Sequence, residues 1–306
     1  MSYHINSIKL TSNMKRYKKI FALTLFLLWD LGGLFAQFSN QNYIITTVPT
    51  TQVTDPTKLT DVSCNTVIQY YDGLGRPIET VQRGITPQKK DLVNTTIYDG
   101  IGREYQHWNP APSANDNGTY MDINTFQATQ KTFYNDVNPY RQTNYEPSPL
   151  NRIKEQYRAG AAWYTNSKKV TTAYGANTLN EVACFTVTNF TTSGQLQRTG
   201  YYATNTLYKT MVTDEDGKSV TEFKDKQGRV LMKRSSTNVD TYFVYNDLDQ
   251  LCYVLPPLAA DGLKDPVTYA DDNDYLKKYG YLYKYDERGN CIYKKLPGCT
   301  PIYMLY

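Results

Sequence analysis

Side chains that could perform acid–base or nucleophilic chemistry are few in this sequence. It contains two histidines, His4 and His107, among 306 residues. A catalytic set of the Ser-His-Asp or Cys-His kind would have to use His107, because His4 lies in a predicted leader. His107 precedes Trp108 and a proline, a pattern typical of a strand that ends in a turn, and nothing places a nucleophile beside it. The sequence therefore predicts that the protein is not an enzyme.

Two acidic clusters, at residues 214–216 and 271–274, are the candidates for a metal site. The first resembles the middle of a calcium loop, but Phe223 stands where a bidentate Glu should close that loop. A zinc site built on histidines is excluded because only His107 lies outside the predicted leader, and no Cys-x-x-Cys pair is present. Because acidic residues recur with predicted turns, they lie along an edge and form no carboxylate pair for sugar cleavage. The sequence predicts no metal and no cofactor.

A short motif recurs along the chain and organises it. The stretch Tyr70–Pro77 (YYDGLGRP) returns almost unchanged as Ile97–Glu104 (IYDGIGRE). Each copy has an aromatic residue before an Asp, with Gly and Arg three and four residues after that Asp. Two near copies predict a repeat. Weaker copies are predicted to begin at Asn135, Thr191, Asp214, Asp225, Asn246 and Asp286.

Substitutions within the motif follow turn chemistry. Asp and Asn accept a hydrogen bond from the backbone two residues on and begin turns, while Gly, Asn and Asp tolerate a positive φ three residues later. This combination predicts a type I turn followed by a left-handed residue, the loop of a tight β-hairpin. The predicted repeat-turn residues are Tyr71, Asp72, Gly75, Arg76, Tyr98, Asp99, Gly102, Arg103, Asp214, Gly217, Asp225, Gly228, Arg229, Tyr245, Asn246, Asp249, Tyr285, Asp286 and Gly289.

The composition favours strands and turns. The sequence has 29 Tyr, and Thr, Asn and Gly are frequent whereas helix-forming Ala and Leu are not. Between residues 105 and 187 prolines interrupt the pattern, and strands are predicted at Ala162–Tyr164 and Val170–Tyr174. The best helix candidate covers residues 271–278, within an insertion predicted at about 255–281. We therefore predict an all-β fold.

The motif resembles the YD repeat of the RHS family, named for its Tyr-Asp pair. The resemblance is specific in Tyr71–Arg76 and Tyr98–Arg103 and fair in Asp225–Arg229 and Tyr285–Gly289. Residues 42–110 also resemble the uncharacterised domain that precedes the repeats in many secreted bacterial RHS proteins. The resemblance implies an antiparallel YD-repeat β-ribbon, part of a spiralling β-shell, preceded by a β-rich N-terminal domain. We assign residues 37–190 to that domain and residues 191–306 to the ribbon.

The N-terminus is predicted to be a cleaved secretory signal peptide. A basic run at residues 15–19 precedes an apolar run at residues 20–28, and cleavage is predicted after Ala36. Asp30 and the glycines after it interrupt the apolar run, which is shorter than the ~18–20 residues that a membrane span requires. The mature chain is therefore predicted to be secreted or at the cell surface, without a transmembrane span. Met14 is an alternative start, which would make residues 1–13 an upstream artefact.

Charge and cysteine content exclude two classes of protein. Residues 1–36 carry five of the 33 basic and one of the 29 acidic residues, which leaves 28 of each in the mature chain. A balanced chain lacks the basic surface that nucleic-acid binding needs. The cysteines are odd in number and not closely paired, so they do not predict a disulfide framework. They are Cys64, Cys184, Cys252, Cys291 and Cys299. An exporting compartment permits one bridge among them, for example Cys291–Cys299.

These features favour a non-enzymatic exported scaffold, the shell or delivery part of a polymorphic-toxin or cell-surface system. The resemblance implies as partner the remainder of an RHS chain or a C-terminal toxin cargo. The alternative is a cell-surface adhesin whose tyrosines stack on surface glycans. The sequence ends with a turn at residues 296–301 and a strand start at residues 302–306, one residue short of the next motif Asp. We therefore expect a truncated reading frame with an open strand edge.

Overall fold

A computed structural model describes residues 6–7, 41–50, 64–188 and 195–306. The described residues fold as two compact units: unit 1 comprises those up to residue 152 and residues 156–167, and unit 2 comprises residues 153–155 and the described residues from 168 to 306. Antiparallel strands are the main secondary structure of both units, which confirms the predicted all-β fold. The domain boundary predicted at residue 190 and the motif copy predicted at Thr191 lie outside the described residues.

The strands of unit 1 pair mostly in chain order. They are β1 (Asn6–Ser7), β2 (Asn42–Pro49), β3 (Cys64–Tyr71), β4 (Pro77–Gln82), β5 (Leu92–Tyr98), β6 (Glu104–Trp108), β7 (Ala111–Pro112) and β8 (Tyr140–Tyr145). β2, β3, β4 and β5 form consecutive antiparallel pairs, and β5 also pairs with β6 and β7. β6 pairs with β8, and the short β1 lies parallel to β2.

A helix replaces the turn predicted at Asn135. α1 (Ile123–Tyr134) begins at Asp122, whose side chain accepts hydrogen bonds from two backbone N–H groups of the first helical turn. It ends at Asn135, which has a φ of 47° and donates its N–H to carbonyls of the last turn. The motif prediction at this position is therefore wrong. A left-handed Asn ends a helix as readily as it closes a hairpin, so its residue type alone does not separate the two structures.

The second helix of unit 1 lies where a strand was predicted. The segment Ala162–Tyr164 belongs to α2 (Ala161–Thr165), and the strand prediction there is wrong. One turn of helix is too short for its apolar residues to show a helical period, so a run of four apolar residues reads equally well as a strand. The buried core of unit 1 packs the sheet against α1 and consists of Ile68, Tyr70, Val81, Val93, Trp108 and Phe126.

Unit 2 contains a main sheet and a small three-stranded sheet. Its strands are β9 (Ile153–Tyr157, the first three residues of which belong to the unit), β10 (Val170–Ala176), β11 (Ala183–Thr188), β12 (Gln195–Tyr201), β13 (Tyr208–Thr213), β14 (Ser219–Lys224), β15 (Val230–Ser235), β16 (Asp240–Tyr245), β17 (Leu251–Leu255), β18 (Thr268–Tyr269), β19 (Tyr281–Tyr285), β20 (Cys291–Lys295) and β21 (Ile302–Tyr303). β9 pairs with β10, and the main sheet continues through β13 to β17, β19, β20 and β21.

Two excursions from the main sheet of unit 2 meet each other. β10 pairs directly with β13, and the chain between them forms the β11–β12 hairpin. β17 pairs directly with β19, and the chain between them forms α3 (Pro257–Gly262), β18 and α4 (Asp274–Tyr279). α4 begins at its N-cap Asn273, inside the segment 271–278 predicted to be helical. Because β12 pairs with β18, the two excursions join in the small sheet.

The core of unit 2 draws side chains from both of its sheets and from both helices. Alternate residues of each strand point to the same face, so β14 and β16 each bury every second side chain. The buried cluster consists of Val182, Ala183, Phe185, Leu196, Leu207, Phe223, Leu231, Met232, Tyr242, Val244, Cys252, Tyr253, Leu255, Ala259, Leu263, Tyr269, Leu276 and Leu282.

Candidate functional site

Six hairpin turns in the described residues share one hydrogen-bonding pattern. In the turn between β3 and β4, the backbone N–H of Asp72 donates to the carbonyl of Arg76 (3.0 Å), and the N–H of Gly75 donates to the carbonyl of Asp72 (3.1 Å). The Asp72 carboxylate accepts from the N–H groups of Leu74 and Arg76, both at 2.9 Å. One side chain therefore satisfies the backbone donors inside the turn. The same bonds form in the turns that begin at Asp99, Asp214, Asp225, Asn246 and Asp286.

The fourth residue of each of these turns has a positive φ. In five turns it is a glycine, and in the sixth it is Asp249, with a φ of 61°. Glycine adopts this conformation freely because it has no Cβ, and Asp and Asn adopt it at a smaller cost than β-branched residues. The glycines are Gly75 (78°), Gly102 (89°), Gly217 (80°), Gly228 (85°) and Gly289 (84°).

The two glycines of the first turn provide a matched test of this requirement. A methyl group added at Gly73 or Gly75 would meet open space, so the two positions differ in backbone conformation and not in room. We expect Gly75→Ala to lower the free energy of unfolding by about 1–2 kcal/mol, the cost of a left-handed L-residue. Gly73→Ala should change it by less than about 0.5 kcal/mol. Equal losses in urea denaturation would show that the turn does not depend on its left-handed residue.

An arginine reinforces three of the turns by pairing with the turn carboxylate. Nε of Arg76 lies 2.7 Å from Oδ2 of Asp72, and Arg103 with Asp99 and Arg229 with Asp225 repeat this distance. The pKa of Asp72 is lowered, chiefly by the backbone N–H of Arg76 and further by its guanidinium. The Asp72 carboxylate is therefore held ionised by the turn that it closes.

The same arginines lie against the aromatic residue of another turn. The guanidinium carbon of Arg76 lies 4.5 Å from the ring centre of Tyr98, which precedes the Asp of the following motif. Arg229 lies over Tyr245 at 5.5 Å in the same way. Arg103 also donates from Nη1 to the carbonyl of Glu146 at 3.2 Å. The Arg76–Tyr98 and Arg229–Tyr245 contacts are cation–π contacts, because both lie within the ~6 Å at which the ring quadrupole attracts a cation.

Tyrosine hydroxyls complete the link between turns. Oη of Tyr98 donates to the carbonyl of Pro77 (2.9 Å), the residue directly after Arg76. Tyr285 donates to the carbonyl of Leu251 (2.9 Å), which stands in the same place after the turn that begins at Asn246. We call this arrangement the turn relay: a carboxylate closes one turn, an arginine pairs with it, and the tyrosine of a later turn contacts that arginine or the residue after it.

The sequence pattern missed one member of the turn relay, at Tyr145–Arg152. Here Glu146 replaces the Asp, and its N–H donates to the carbonyl of Arg152 at 3.0 Å. Nε and Nη2 of Arg152 donate to the two carboxylate oxygens of Glu146 at 2.7 and 2.8 Å. Tyr145 lies under Arg103 at 4.5 Å and donates to the carbonyl of Glu104 at 3.1 Å. The longer Glu side chain spans a loop with two extra residues. The motif has a fixed spacing of four residues from acid to arginine, so it does not match this loop.

Some predicted repeat-turn residues stand outside the turn relay. The turn that begins at Asp214 is preceded by Thr213 and followed by Lys218, so it has neither the tyrosine nor the arginine that the contact needs. Tyr71 ends β3, directly before the first turn. Asp249 lies in the turn at Asn246 and accepts from Nη1 of Arg229 at 2.6 Å, which ties two successive turns together.

The histidine considered for catalysis takes part in a strand pair. His107 lies on β6 opposite Thr96 of β5, whose hydroxyl is 3.2 Å from Nδ1. Its Nε2 is 3.4 Å from the amide nitrogen of Asn94. Burial lowers the pKa of His107. These contacts are those of a cross-strand pair in a sheet.

The acidic clusters considered for calcium contact neighbouring protein groups. Asp214 closes its turn, and a carboxylate oxygen of Asp216 lies 3.3 Å from Nζ of Lys168. Asp271 pairs with Lys284 at 2.5 Å. In the part of the chain that the structure describes, no group of three or more His, Cys, Asp or Glu is arranged to hold a metal ion. The five cysteines are free thiols, and every described helix is too short or too polar to cross a bilayer.

A buried carboxyl in unit 1 was not singled out from the sequence. Glu79 lies on β4 with 2% of its surface exposed, and its Oε1 accepts from the backbone N–H of Met121 at 3.0 Å. Burial is the main cause that raises the pKa of Glu79 to about 8. Burial also raises the pKa of Tyr70, whose hydroxyl donates to the carbonyl of Gly118 at 2.6 Å. Burial in the core therefore favours the neutral form of this acid.

Comparison with known proteins gives matches of limited extent. The profile of a domain of unknown function, DUF6443, matches residues 43–176. No curated protein matches the sequence. The chain is similar to crystal structures described as TcdB2-TccC3-TEV (14% identity, TM-score 0.49) and TcdB2-TccC3-Cdc42 (13%, 0.45). These alignments cover 87% and 76% of this chain, but it spans only 12% and 10% of the length of those chains. The pore of the Photorhabdus luminescens Tc holotoxin aligns at 10% identity with a TM-score of 0.19, over 76% of this chain and 15% of that one.

Proposed function

We propose that this chain is a segment of a non-enzymatic exported scaffold of the RHS type, whose hairpins form part of a shell or delivery ribbon for another polypeptide. The turn relay is the observation that carries this proposal. It binds the turn of one hairpin to a later hairpin through a charge-assisted pair and a tyrosine, at Arg76, Arg103 and Arg229. Contacts of this kind stiffen a ribbon along its edge, as a wall requires.

The state of the relay tyrosines argues for a scaffold over the alternative of a glycan-binding adhesin. Stacking on a sugar needs an aromatic face that is open to solvent. Tyr98 and Tyr145 each carry a guanidinium at 4.5 Å from the ring centre, and their hydroxyls are bound to backbone carbonyls. These tyrosines serve packing between hairpins, so the turn surface offers no aromatic platform there.

Protease protection of downstream sequence tests the proposal. An unfolded reporter polypeptide would be fused after Tyr306, and its cleavage would be followed in exported protein. We expect that polypeptide to resist protease when the turn relay is intact. It should become susceptible in Asp99→Ala/Asp225→Ala, because each change removes the carboxylate that closes its turn and pairs with Nε of its arginine.

Exposed acids provide the control for this experiment. Asp272→Ala/Glu287→Ala removes two exposed carboxylates and should leave protection unchanged. Equal cleavage of the downstream polypeptide in the intact and relay-deficient proteins would contradict the scaffold role. Retention of the unprocessed chain in the cytoplasm would refute export.

A further inference from the structure

A cavity of about 480 Å³ opens in unit 2 between the small sheet, the main sheet and α3. Its walls are formed by β11 and β12 on one side, by β15 and β16 on another, and by α3. Phe185, Tyr201 and Tyr242 contribute aromatic surface to it. The volume lies in the range of sites that bind small molecules, about 300–1,000 Å³.

One cation in the wall of this cavity has no charged partner. Arg198 lies on β12 with 8% of its surface exposed, and its Nε is buried without a hydrogen-bond partner. No carboxylate among the described residues lies within ion-pairing distance of its guanidinium, which contacts the ring of Tyr201 at 5.2 Å. A buried charge is costly unless it is paired, so an unpaired guanidinium at a cavity wall indicates a partner supplied from outside.

The acids around the cavity already have cationic partners within the protein. Arg234 donates to both carboxylate oxygens of Asp240, at 2.8 and 2.9 Å. Glu181 pairs with Lys209 at 2.5 Å. Because Asp240 and Glu181 are already paired, neither of them neutralises the positive charge of Arg198.

We propose that this cavity binds a ligand that carries one carboxylate on an apolar, preferably aromatic, body. The guanidinium of Arg198 would take the carboxylate, because its planar fork matches two carboxylate oxygens. Phe185 and Tyr242, whose rings meet edge to face at 5.0 Å, would hold the apolar body. A dianionic phosphate fits less well, since the carboxylates of Glu181 and Asp240 line the same cavity and would repel the second charge.

Such a carboxylate has two sources, a free organic acid or the C-terminus of a peptide. The probes are 3-phenylpropionate for the first source and a short peptide ending in a free Phe for the second. The matched comparators are 3-phenylpropanol, the amidated peptide and inorganic phosphate. Binding to the purified chain would be measured by titration calorimetry and ligand-observed NMR. We expect at least one carboxylate probe to bind, and its neutral comparator and phosphate to bind at least about tenfold more weakly.

Variants at Arg198 decide whether this residue is responsible. Arg198→Met should weaken binding of the carboxylate probe at least about tenfold. Arg198→Lys should weaken binding less, because lysine keeps the positive charge but lacks the planar fork of the guanidinium. Arg288→Met, at an exposed arginine of unit 2 away from the cavity, should bind as the unmodified chain does. Equal binding by the unmodified chain and Arg198→Met would overturn the proposal, as would the absence of binding by either carboxylate at about 10 mM.

Thermal stability without ligand gives a second, independent readout. Because the guanidinium is buried without a charged partner, Arg198→Met should unfold at the same or a higher Tm than the unmodified chain. A clear fall in Tm would mean that the fold itself satisfies Arg198, and would overturn the proposal. The Tm also establishes that a variant that has lost binding remains folded.

Discussion

Replacing Glu79 by Gln is expected to stabilise unit 1 increasingly as the pH rises from 4.5 to about 8, the pKa values of the free and the buried carboxyl. Burial raises the pKa of Glu79, so the folded protein keeps a proton that the unfolded chain releases. The stability that this group contributes is complete below the unfolded pKa and is lost as the pH rises through the folded pKa. Gln is neutral at every pH and is not subject to that loss.

The size of this effect follows from the pKa difference. A rise from 4.5 to about 8 corresponds to at most about 5 kcal/mol, because one pKa unit is worth ~1.36 kcal/mol. Trp108 and Trp163 both lie in unit 1, so tryptophan fluorescence during urea unfolding reports on this unit. We expect the free energies of unfolding of Glu79→Gln and the unmodified chain to converge near pH 4.5 and to differ by roughly 2–5 kcal/mol at pH 8.

An exposed glutamate provides the control for this pH series. Glu287 is exposed in unit 2, and Glu287→Gln should leave the unfolding of unit 1 unchanged at every pH. Parallel pH profiles for Glu79→Gln and the unmodified chain would show that the Glu79 carboxyl is ionised in the folded protein. They would contradict the neutral, buried acid inferred from the structure.

Asn177→Ala is expected to destabilise unit 2 by about 3–5 kcal/mol, since each buried polar group left without a partner costs about 1–3 kcal/mol. Asn177 is fully buried, at 0% exposure, where the chain leaves β10 for the β11–β12 hairpin. Its Oδ1 accepts from the backbone N–H groups of Thr206 and Leu207 at 3.0 and 2.8 Å. Its Nδ2 donates to the carbonyl of Ala203 at 2.8 Å. The Asn177 side chain thus ties together the two ends of the excursion.

Asn205→Gly is the matched control, at a residue whose backbone N–H also bonds to Asn177. Asn205 is exposed and has a φ of 62°, which Gly adopts freely, and its N–H bond to the carbonyl of Asn177 survives the change. We expect Asn205→Gly to change the free energy of unfolding by less than about 0.5 kcal/mol. Urea unfolding followed by far-UV circular dichroism measures both variants. If Asn177→Ala lowers the free energy of unfolding by less than about 1 kcal/mol, the connection between β10 and β13 does not depend on this side chain.

Turn chemistry is the part of this structure that is readable from the sequence, because all its hydrogen bonds lie within five consecutive residues. Asp72 binds the N–H groups of Leu74 and Arg76, and Gly75 supplies the positive φ. No other part of the chain is needed to form that loop. The same locality explains the errors: Asn135 has turn chemistry but ends a helix, and the loop from Glu146 to Arg152 uses a longer side chain over a longer loop.

Contacts across the turn relay depend on how the hairpins stack. The sequence singled out Arg103 as a turn residue, but it gave no sign that this arginine would lie over Tyr145. The intervening chain contains α1, whose length is set by its own caps and not by the repeat. Which tyrosine meets which arginine is therefore decided by packing.

The sequence by itself determined the all-β class, the hairpin turns and the residues that close them, since these follow from local backbone preferences and hydrogen bonds. Only the tertiary structure decided which polar groups are buried. Glu79 is buried where the backbone of the loop before α1 meets its side chain, and Asn177 joins the two ends of the segment between β10 and β13 because those two strands pair. Arg198 lines a cavity because two excursions, separated by five strands in the chain, join in one small sheet. Burial depends on segments that are distant in sequence, and no local pattern records which of them will meet.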